Sequence, residues 1–197
     1  HFSSLGVKDG TDSKYLQTKF RAEKYIKNSL QNYVIIKPSV VFGPDDKFFN
    51  TFAKLARIFP VLPIVGCEVK FQPCYVGDIG DAINYIVETE TLAKTYELAG
   101  PKRYKLYELI KLMLKEIRRK NVIIPLPFGI GKFQAFFMQL APKPILTIDQ
   151  IKILESGDNI ITGENNTFSD LSILPRSVES IVPTYLKYHR PAGQFTK

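Results

Sequence analysis

The sequence has little cysteine and no long apolar run. Its two cysteines, Cys67 and Cys74, are separated by six residues, which matches no common zinc-site spacing and is too sparse for a secreted disulfide scaffold. No apolar run reaches the roughly 18 residues of a membrane-spanning helix, because Lys132, Gln134 and Gln139 interrupt the most apolar stretch. We therefore expect a reducing, intracellular setting and no metal site.

Signatures of nucleic-acid binding are also absent. The sequence has no arginine-rich arm, zinc-knuckle spacing or RNA-binding aromatic motif, and its longest basic run is Arg118, Arg119 and Lys120. The net charge is nevertheless +8, from 27 Lys and Arg residues against 19 Asp and Glu residues. This excess fits phosphate-bearing ligands, nucleic acid or an anionic membrane surface, but it is more typical of scattered lysines on solvated faces, which we favour. We expect no nucleic-acid partner.

The sequence also lacks a glycine-rich loop for nucleotide phosphates. It has no glycine-rich turn after an apolar strand, and no acidic residue placed to bind a ribose. The chain opens at His1, Phe2, Ser3 and Ser4, a stretch typical of a strand, without a preceding turn or cap. We therefore expect that an N-terminal segment of the same protein is missing from this polypeptide.

The composition, with 45% hydrophobic and 23% charged residues, predicts a packed core. The apolar patterns predict both helices and strands along the chain. Residues 14–30 are apolar near the helical period, with Asp12 or Ser13 as N-cap. Residues 33–36 are continuously apolar and β-branched, as in a strand buried in a parallel sheet. Residues 156–166 are predicted to form a loop. Further helices are predicted at 48–59, 77–88, 106–118, 129–140, 147–155 and 177–188, and further strands at 62–65, 69–75, 95–99 and 122–125.

Tyr15 and Lys19 are about one helical turn apart, which places the phenol and the ammonium on the same helix face. On spacing alone, the pair is more typical of an accidental surface pair on a helix than of a site. Its surroundings follow an order: Ser4 precedes it, and the segments 37–44 (KPSVVFGP), 71–79 (FQPCYVGDI) and 95–101 (TYELAGP) follow it. This series resembles the extended and atypical short-chain dehydrogenase/reductases, the NAD-dependent epimerase/dehydratase family, over essentially the whole chain.

Three features are similar to one atypical branch of that family. They are the short interval from Ser4 to Tyr15, the segment 48–50 (FFN) and the segment 125–128 (PLPF). This branch includes the NADPH-holding accessory subunit of respiratory complex I and its bacterial relatives. The resemblance implies a cytoplasmic protein that can lie at the periphery of the inner membrane and contact a respiratory complex.

The resemblance also implies the fold and the cofactor. We expect an α/β protein, with residues 1–60 as the C-terminal portion of a Rossmann-type doubly wound parallel sheet. Residues 61–197 are then a smaller α+β substrate-binding domain. The implied cofactor is NAD or NADP, although the phosphate-binding loop is absent from this chain.

Several residues receive roles from the resemblance. Tyr15 would be the general acid/base, and the Lys19 charge would favour its phenolate and bond the nicotinamide ribose. Ser4 would hydrogen-bond the same substrate oxygen, although a serine that ends a strand also bonds nearby backbone. The remaining cofactor-binding candidates are Pro38, Ser39, Val40 and Val41, which would pass over the nicotinamide; Pro38 is equally a plain strand terminator.

Other residues have two interpretations. Asp78 is a helix N-terminal residue favoured by the helix dipole, or a substrate contact. The phenylalanines Phe133, Phe136 and Phe137, next to Lys132, form a helix core, which we favour, or a surface for a membrane or partner. His189 has no sequence neighbour that would make it a metal ligand or base.

Three functions remain open from the sequence. The first is an NAD(P)-dependent oxidoreductase or epimerase acting on a small-molecule or lipid-like substrate. The second is a non-catalytic NAD(P)H-holding accessory or assembly protein of respiratory complex I, which the short interval between Ser4 and Tyr15 favours. The third is an inactive fragment. Because helix N-termini with glycine loops bind phosphates best, we expect these residues alone to bind NAD(P)H poorly.

Overall fold

The structure is a computed structural model that describes residues 1–92, 94–140, 144–191 and 193. Two 3₁₀ helices, at Phe168–Leu171 and Lys187–His189, add to the regular elements. The α-helices are α1 (Lys14–Ser29), α2 (Phe49–Ile58), α3 (Val76–Glu88), α4 (Leu106–Glu116), α5 (Phe128–Met138), α6 (Ile148–Glu155) and α7 (Val178–Leu186). The strands are β1 (Val34–Pro38), β2 (Val41–Phe42), β3 (Val61–Val65), β4 (Lys70–Phe71), β5 (Cys74–Tyr75), β6 (Lys94–Leu98), β7 (Tyr104–Lys105) and β8 (Val122–Leu126).

The strands pair mostly in parallel. β1 lies beside β6, with Val34 opposite Lys94 and Pro38 opposite Leu98. The N-terminal residues pair with the other edge of β1, where Ser3 N–H donates to Ile36 O at 2.8 Å. The pairs β2–β5 and β3–β8 are also parallel, and β4–β7 is antiparallel. Parallel strands connected through helices confirm the predicted α/β class.

Two packed clusters form most of the core. One joins α2, α4 and α7 through fully buried side chains such as Phe49, Met113 and Val182. The other packs α3 against β1 and β6 through Ile79 and Leu98. Burial of each such side chain contributes roughly 1.5–3 kcal/mol. Because β1 pairs with β6, the sheet contacts cross residue 60, and the division into domains at that residue stays a prediction.

The one predicted strand at 69–75 is two short strands. Pro73 has no N–H and lies between β4 and β5, so the ladder is interrupted there. Next to this interruption, the Gln72 side chain donates to Gly100 O at 2.7 Å. No helix of the described ranges combines the length and the apolar character that a membrane crossing requires.

Candidate functional site

The Tyr15 and Lys19 side chains lie together on α1. Lys19 Nζ is 5.8 Å from the centroid of the Tyr15 ring, and the Tyr15 side chain is 42% exposed. The same ammonium donates to Phe2 O at 2.7 Å, which ties the helix to the N-terminal residues beside β1. The pair therefore shares one accessible face, as the spacing predicted, and a polar ligand can reach it.

The start of α1 is fixed by a carboxylate from α6. Ser13 is the N-cap, as predicted, and its Oγ accepts from Leu16 N at 3.3 Å. Asp149 accepts from Ser13 Oγ at 3.0 Å, from Lys14 N at 2.7 Å and from Tyr15 N at 3.2 Å. A negative charge at a helix N-terminus is stabilising, so Asp149 holds the backbone that carries Tyr15. Sequence reasoning missed this contact.

Within the described residues, Ser4 forms no hydrogen bond with the Tyr15 side chain. Its Oγ donates to Leu5 O at 3.1 Å, as a serine at the end of a strand commonly does. The neighbouring Ser3 donates to the buried Glu23 carboxylate, and Glu23 forms a salt bridge with Lys37 at 3.4 Å. The Ser4 hydroxyl would have to leave Leu5 O before it could bond a substrate oxygen.

The segment Pro38–Val41 runs from the last residue of β1 to the first residue of β2, and Asn159 holds it by hydrogen bonds. Ser39 Oγ lies 2.7 Å from Asn159 Oδ1 and 2.9 Å from Asn159 O, and Val40 N–H donates to Oδ1 at 2.9 Å. Asn159 Nδ2 donates to Leu5 O at 3.1 Å, so one amide links Leu5 with residues 39–40. The backbone donor of Val40 therefore already has a protein acceptor.

Gln72 extends this network. Its backbone N–H donates to Ser39 Oγ at 3.3 Å and to Asn159 O at 3.1 Å. Gln72 and Asn159 were both missed from the sequence. The only signal was the high Asn, Asp and Gly content of the loop 156–166, which does not identify a partner 120 residues away.

Asp78 has a structural partner. It is 1% exposed in the first turn of α3, and it accepts from Arg176 N at 2.7 Å. Burial raises the pKa of its carboxyl, and the Arg176 N–H and guanidinium offset part of the rise. These contacts join α3 to the segment before α7 and favour the interpretation as a helix N-terminal residue.

His189 lies in a second polar network. Its Nε2 is 2.9 Å from Asn50 Oδ1, and burial, then Arg57 and Lys54, lower its pKa. Nearby, Asp46 accepts from Phe49 N at 2.6 Å at the start of α2. Within the described part of the chain, no group of three or more His, Cys, Asp or Glu residues could hold a metal.

The favoured interpretation of the α5 phenylalanines was wrong. Phe133, Phe136 and Phe137 are 69%, 52% and 55% exposed, and α5 buries only Gly131 and Ala135. The Phe137 ring contacts those of Phe133 and Phe136 edge to face, and none of the three rings is buried in the core. Lys132 forms a salt bridge with Glu155 of α6 at 2.8 Å. The phenylalanines therefore form an apolar surface, which we call the α5 phenyl row.

Comparisons with known proteins agree with this architecture. The sequence profile of the RmlD substrate binding domain matches residues 10–140. The subunit named "NADH dehydrogenase [ubiquinone] 1 alpha subcomplex subunit 9, mitochondrial" is 30% identical over 203 residues in Arabidopsis thaliana, covering 97% of this chain and 50% of the relative. In Mus musculus the subunit of the same name is 30% identical over 194 residues, covering 96% of this chain and 51% of the relative.

A solved structure shows the same fold. The dTDP-glucose 4,6-dehydratase DesIV from Streptomyces venezuelae, crystallised with NAD, superposes with a TM-score of 0.66 at 13% identity. The match covers 96% of this chain and 58% of that one. The fold is therefore that of the Rossmann-type epimerases and reductases.

The chain belongs to the RmlD substrate-binding-domain family of short-chain dehydrogenase/reductase-type, NAD(P)-binding proteins. Within it, the chain is close to the alpha subcomplex subunit 9 proteins of NADH-ubiquinone oxidoreductase, respiratory complex I. It spans about half the length of these relatives.

Proposed function

We propose that this chain is part of a non-catalytic NAD(P)H-holding accessory subunit of respiratory complex I. The observation that carries the proposal is that polar atoms which a reactive site would direct at the substrate already form hydrogen bonds within the protein. Ser4 Oγ bonds Leu5 O, and Val40 N–H bonds Asn159 Oδ1. The relatives named as complex I subunits support the same assignment.

The residues present fit part of a nicotinamide nucleotide. Tyr15 and Lys19 offer an exposed hydroxyl and an ammonium on one face, which suits a ribose. Pro38, Ser39, Val40 and Val41 would line the nicotinamide side of the same site. When bound, NAD or NADP would supply hydride chemistry. The phosphates need donors from outside this sequence, because it has no glycine-rich loop.

A second candidate function is an NAD(P)-dependent oxidoreductase or epimerase with a small-molecule or lipid-like substrate. The proximity of Lys19 to the exposed Tyr15 favours it. In this role Tyr15 Oη would exchange a proton with a substrate oxygen, and the Lys19 charge would favour the phenolate. Ser4 would act with them after turning away from Leu5 O.

Binding and activity measurements on the full-length protein distinguish the two candidate functions. For a holding role, we expect Lys19→Met to weaken NADPH binding about tenfold or more, as measured by calorimetry, because a charge-assisted ribose contact is lost. Tyr15→Phe should bind NADPH within a few-fold of the wild type. Absorbance of the reduced nicotinamide should not fall when a carbonyl panel is added. Turnover that Tyr15→Phe abolishes would replace this proposal with the oxidoreductase.

The proposed location is the periphery of the inner membrane, in contact with the respiratory complex. The exposed α5 phenyl row supports a contact of this kind. Solubilised membranes from cells that express the tagged full-length protein provide the test. The tagged protein should migrate with NADH-ubiquinone oxidoreductase activity on native gels, and a tagged protein found only in the soluble fraction would argue against the location.

A further inference from the structure

An apolar cavity of about 530 Å³ lies between α2, β3, α5 and α6. Its walls include Phe52, Leu62 and Leu154, and Gln134 supplies the single polar side chain among the described residues that line it. The volume falls within the range of about 300–1,000 Å³ that is typical of small-molecule sites. A cavity with so few polar groups suits a hydrocarbon chain.

A second cavity, of about 450 Å³, lies beside the C-terminal ends of α2 and α4. Its lining includes Arg57, Arg118, Arg119 and Lys120, and no acidic residue of the described chain lines it. Phe59 lines both cavities, so the basic cavity adjoins the apolar one. The two cavities therefore offer a cationic pocket next to an apolar pocket.

These cations lie at or just beyond the C-terminal ends of α2 and α4, where the helix dipole favours positive charge, but the end of α2 already has another donor for its carbonyls. Asn121 Nδ2 donates to Ala56 O at 2.9 Å and to Phe59 O, which satisfies carbonyls at the end of α2. Within the described ranges, Arg57 and Lys120 form no salt bridge, and the buried Arg119 Nε has no hydrogen-bond partner. Buried donors are normally satisfied, so Arg119 Nε indicates an acceptor that the described residues do not supply.

We propose that the two cavities together bind one anionic phospholipid. Its phosphate would lie among Arg57, Arg119 and Lys120, and one acyl chain would pass Phe59 into the apolar cavity. Charge complementarity argues for an anionic head group, and the shared wall argues for a ligand in which that group adjoins hydrocarbon. This site is separate from Tyr15 and Lys19 and does not depend on the proposed nucleotide role.

The α5 phenyl row supports a bilayer as the source of the ligand. α5 supplies Gln134 and Met138 to the apolar cavity and carries Phe133, Phe136 and Phe137 in exposed positions. Exposed aromatic side chains on a helix can enter the boundary between head groups and acyl chains. The helix that would meet the bilayer thus also forms a wall of the acyl site.

The test is a calorimetric titration of the purified protein with dihexanoyl phosphatidylglycerol, kept below its critical micelle concentration. Separate titrations use glycerol phosphate and inorganic phosphate. We expect the short-chain lipid to bind at least about tenfold more tightly than glycerol phosphate, because its chains add apolar burial. The double variant Arg57→Gln/Arg119→Gln should lose at least about tenfold in lipid affinity.

Two variants examine the apolar cavity. Val61→Asp places a charge at a cavity wall, and Gln134→Glu introduces a carboxylate with almost no change in shape. Both should weaken the short-chain lipid and leave glycerol phosphate unchanged, because a carboxylate resists burial beside hydrocarbon. Circular dichroism checks the folding of each variant, and Gln134→Glu decides the question if Val61→Asp does not fold.

The matched control is Lys24→Gln/Lys27→Gln, which removes two exposed cations from α1 and should stay within about twofold of the wild type. Flotation with phosphatidylcholine vesicles, with and without phosphatidylglycerol, should show binding only to the anionic vesicles. The proposal fails if the control loses as much affinity as the arginine variant. It also fails if glycerol phosphate or inorganic phosphate binds as tightly as the lipid, if Gln134→Glu binds the lipid normally, or if no lipid binds.

Discussion

Two regions of the molecule that could receive a ligand differ in whether their polar atoms already have partners within the protein. Around β1 and the start of α1, Asn159 and Asp149 accept or donate hydrogen bonds to several neighbours each. Around β3 and α5, apolar walls predominate, and the adjoining basic pocket includes Arg57 and Lys120, which form no salt bridge within the described residues. The first region contains the family motifs, and its polar atoms already form hydrogen bonds within the protein. The second region contains an apolar cavity and an adjoining basic cavity that could bind a ligand. The family resemblance therefore does not identify the more available surface.

Among the substitutions that test this difference, Asn159→Ala should have the largest effect. The substitution removes the acceptor for Val40 N–H, whereas Ser39 Oγ keeps Asn159 O and Leu5 O keeps Ser4 Oγ as partners. One unpaired buried donor costs about 1–3 kcal/mol, so we expect the free energy of unfolding to fall by about 1–3 kcal/mol in urea denaturation. Asn84→Ala is the control, because Asn84 is exposed and, among the described residues, its side chain bonds only Glu88. It should change stability by less than about 0.5 kcal/mol. Equal effects would mean that the polar region is not held by Asn159.

Asp149→Ala should have the next largest effect. It removes the carboxylate shared by Ser13, Lys14 and Tyr15, and loss of a helix cap costs about 0.5–2 kcal/mol. Hydrogen exchange at the amides of residues 14–17 should become faster. Asp9→Ala, which removes only a local bond to Gly10 N, should leave these amides protected. Unchanged exchange in Asp149→Ala would contradict the shared cap.

Two glycines of α5 test how closely this helix packs on β3 in the apolar region. A Cβ at Gly131 would lie 2.5 Å from Val65 Cγ2, whereas a Cβ at Gly129 meets nothing within 4 Å. Overpacking costs about 1–3 kcal/mol, and the better helix propensity of alanine returns about 1 kcal/mol. We expect Gly131→Ala to destabilise by about 1 kcal/mol and Gly129→Ala to stabilise slightly, in thermal unfolding. Similar shifts in both variants would show that α5 does not pack closely on β3.

The smallest expected effect is a pH dependence from His189. Burial and Arg57 lower its pKa below the ordinary 6.5, so the unfolded chain binds a proton more readily than the native protein does. Stability is then fully present above pH 6.5 and is lost as the pH falls towards the lowered native pKa. His189→Gln should make the unfolding free energy less dependent on pH over this window than it is in the wild type. Identical pH profiles would show that His189 does not contribute.

Local patterns in the sequence predicted most of the helices and strands. The helical period around Tyr15 and Lys19 placed both side chains on one face, and Ser13 was a correct N-cap because capping depends on neighbouring residues. The break at Pro73 was visible as a residue that cannot donate to a ladder, yet the strand was predicted as continuous. Such local rules operate within about one turn or one strand.

The contacts between distant segments were not predictable in the same way. Asn159 bonds residues 39–40 from 119–120 positions away, and Asp149 reaches α1 from more than 130 positions away. The α5 phenyl row was placed in the core because apolar residues surround that helix, and a uniform pattern does not indicate which face is covered. Only the packing of α5 against its neighbours determines which side is left exposed.

The position of Asn159 late in the chain has a consequence for biosynthesis. Leu5 and Val40 leave the ribosome long before residue 159, so their hydrogen bonds to its amide cannot form while the first helices are being made. Contacts between residues so far apart slow folding, because a large loop must close first. Val40 N–H therefore lacks this acceptor until the loop 156–166 has been made, and we expect the region around Leu5 and Val40 to complete its hydrogen bonds late in folding.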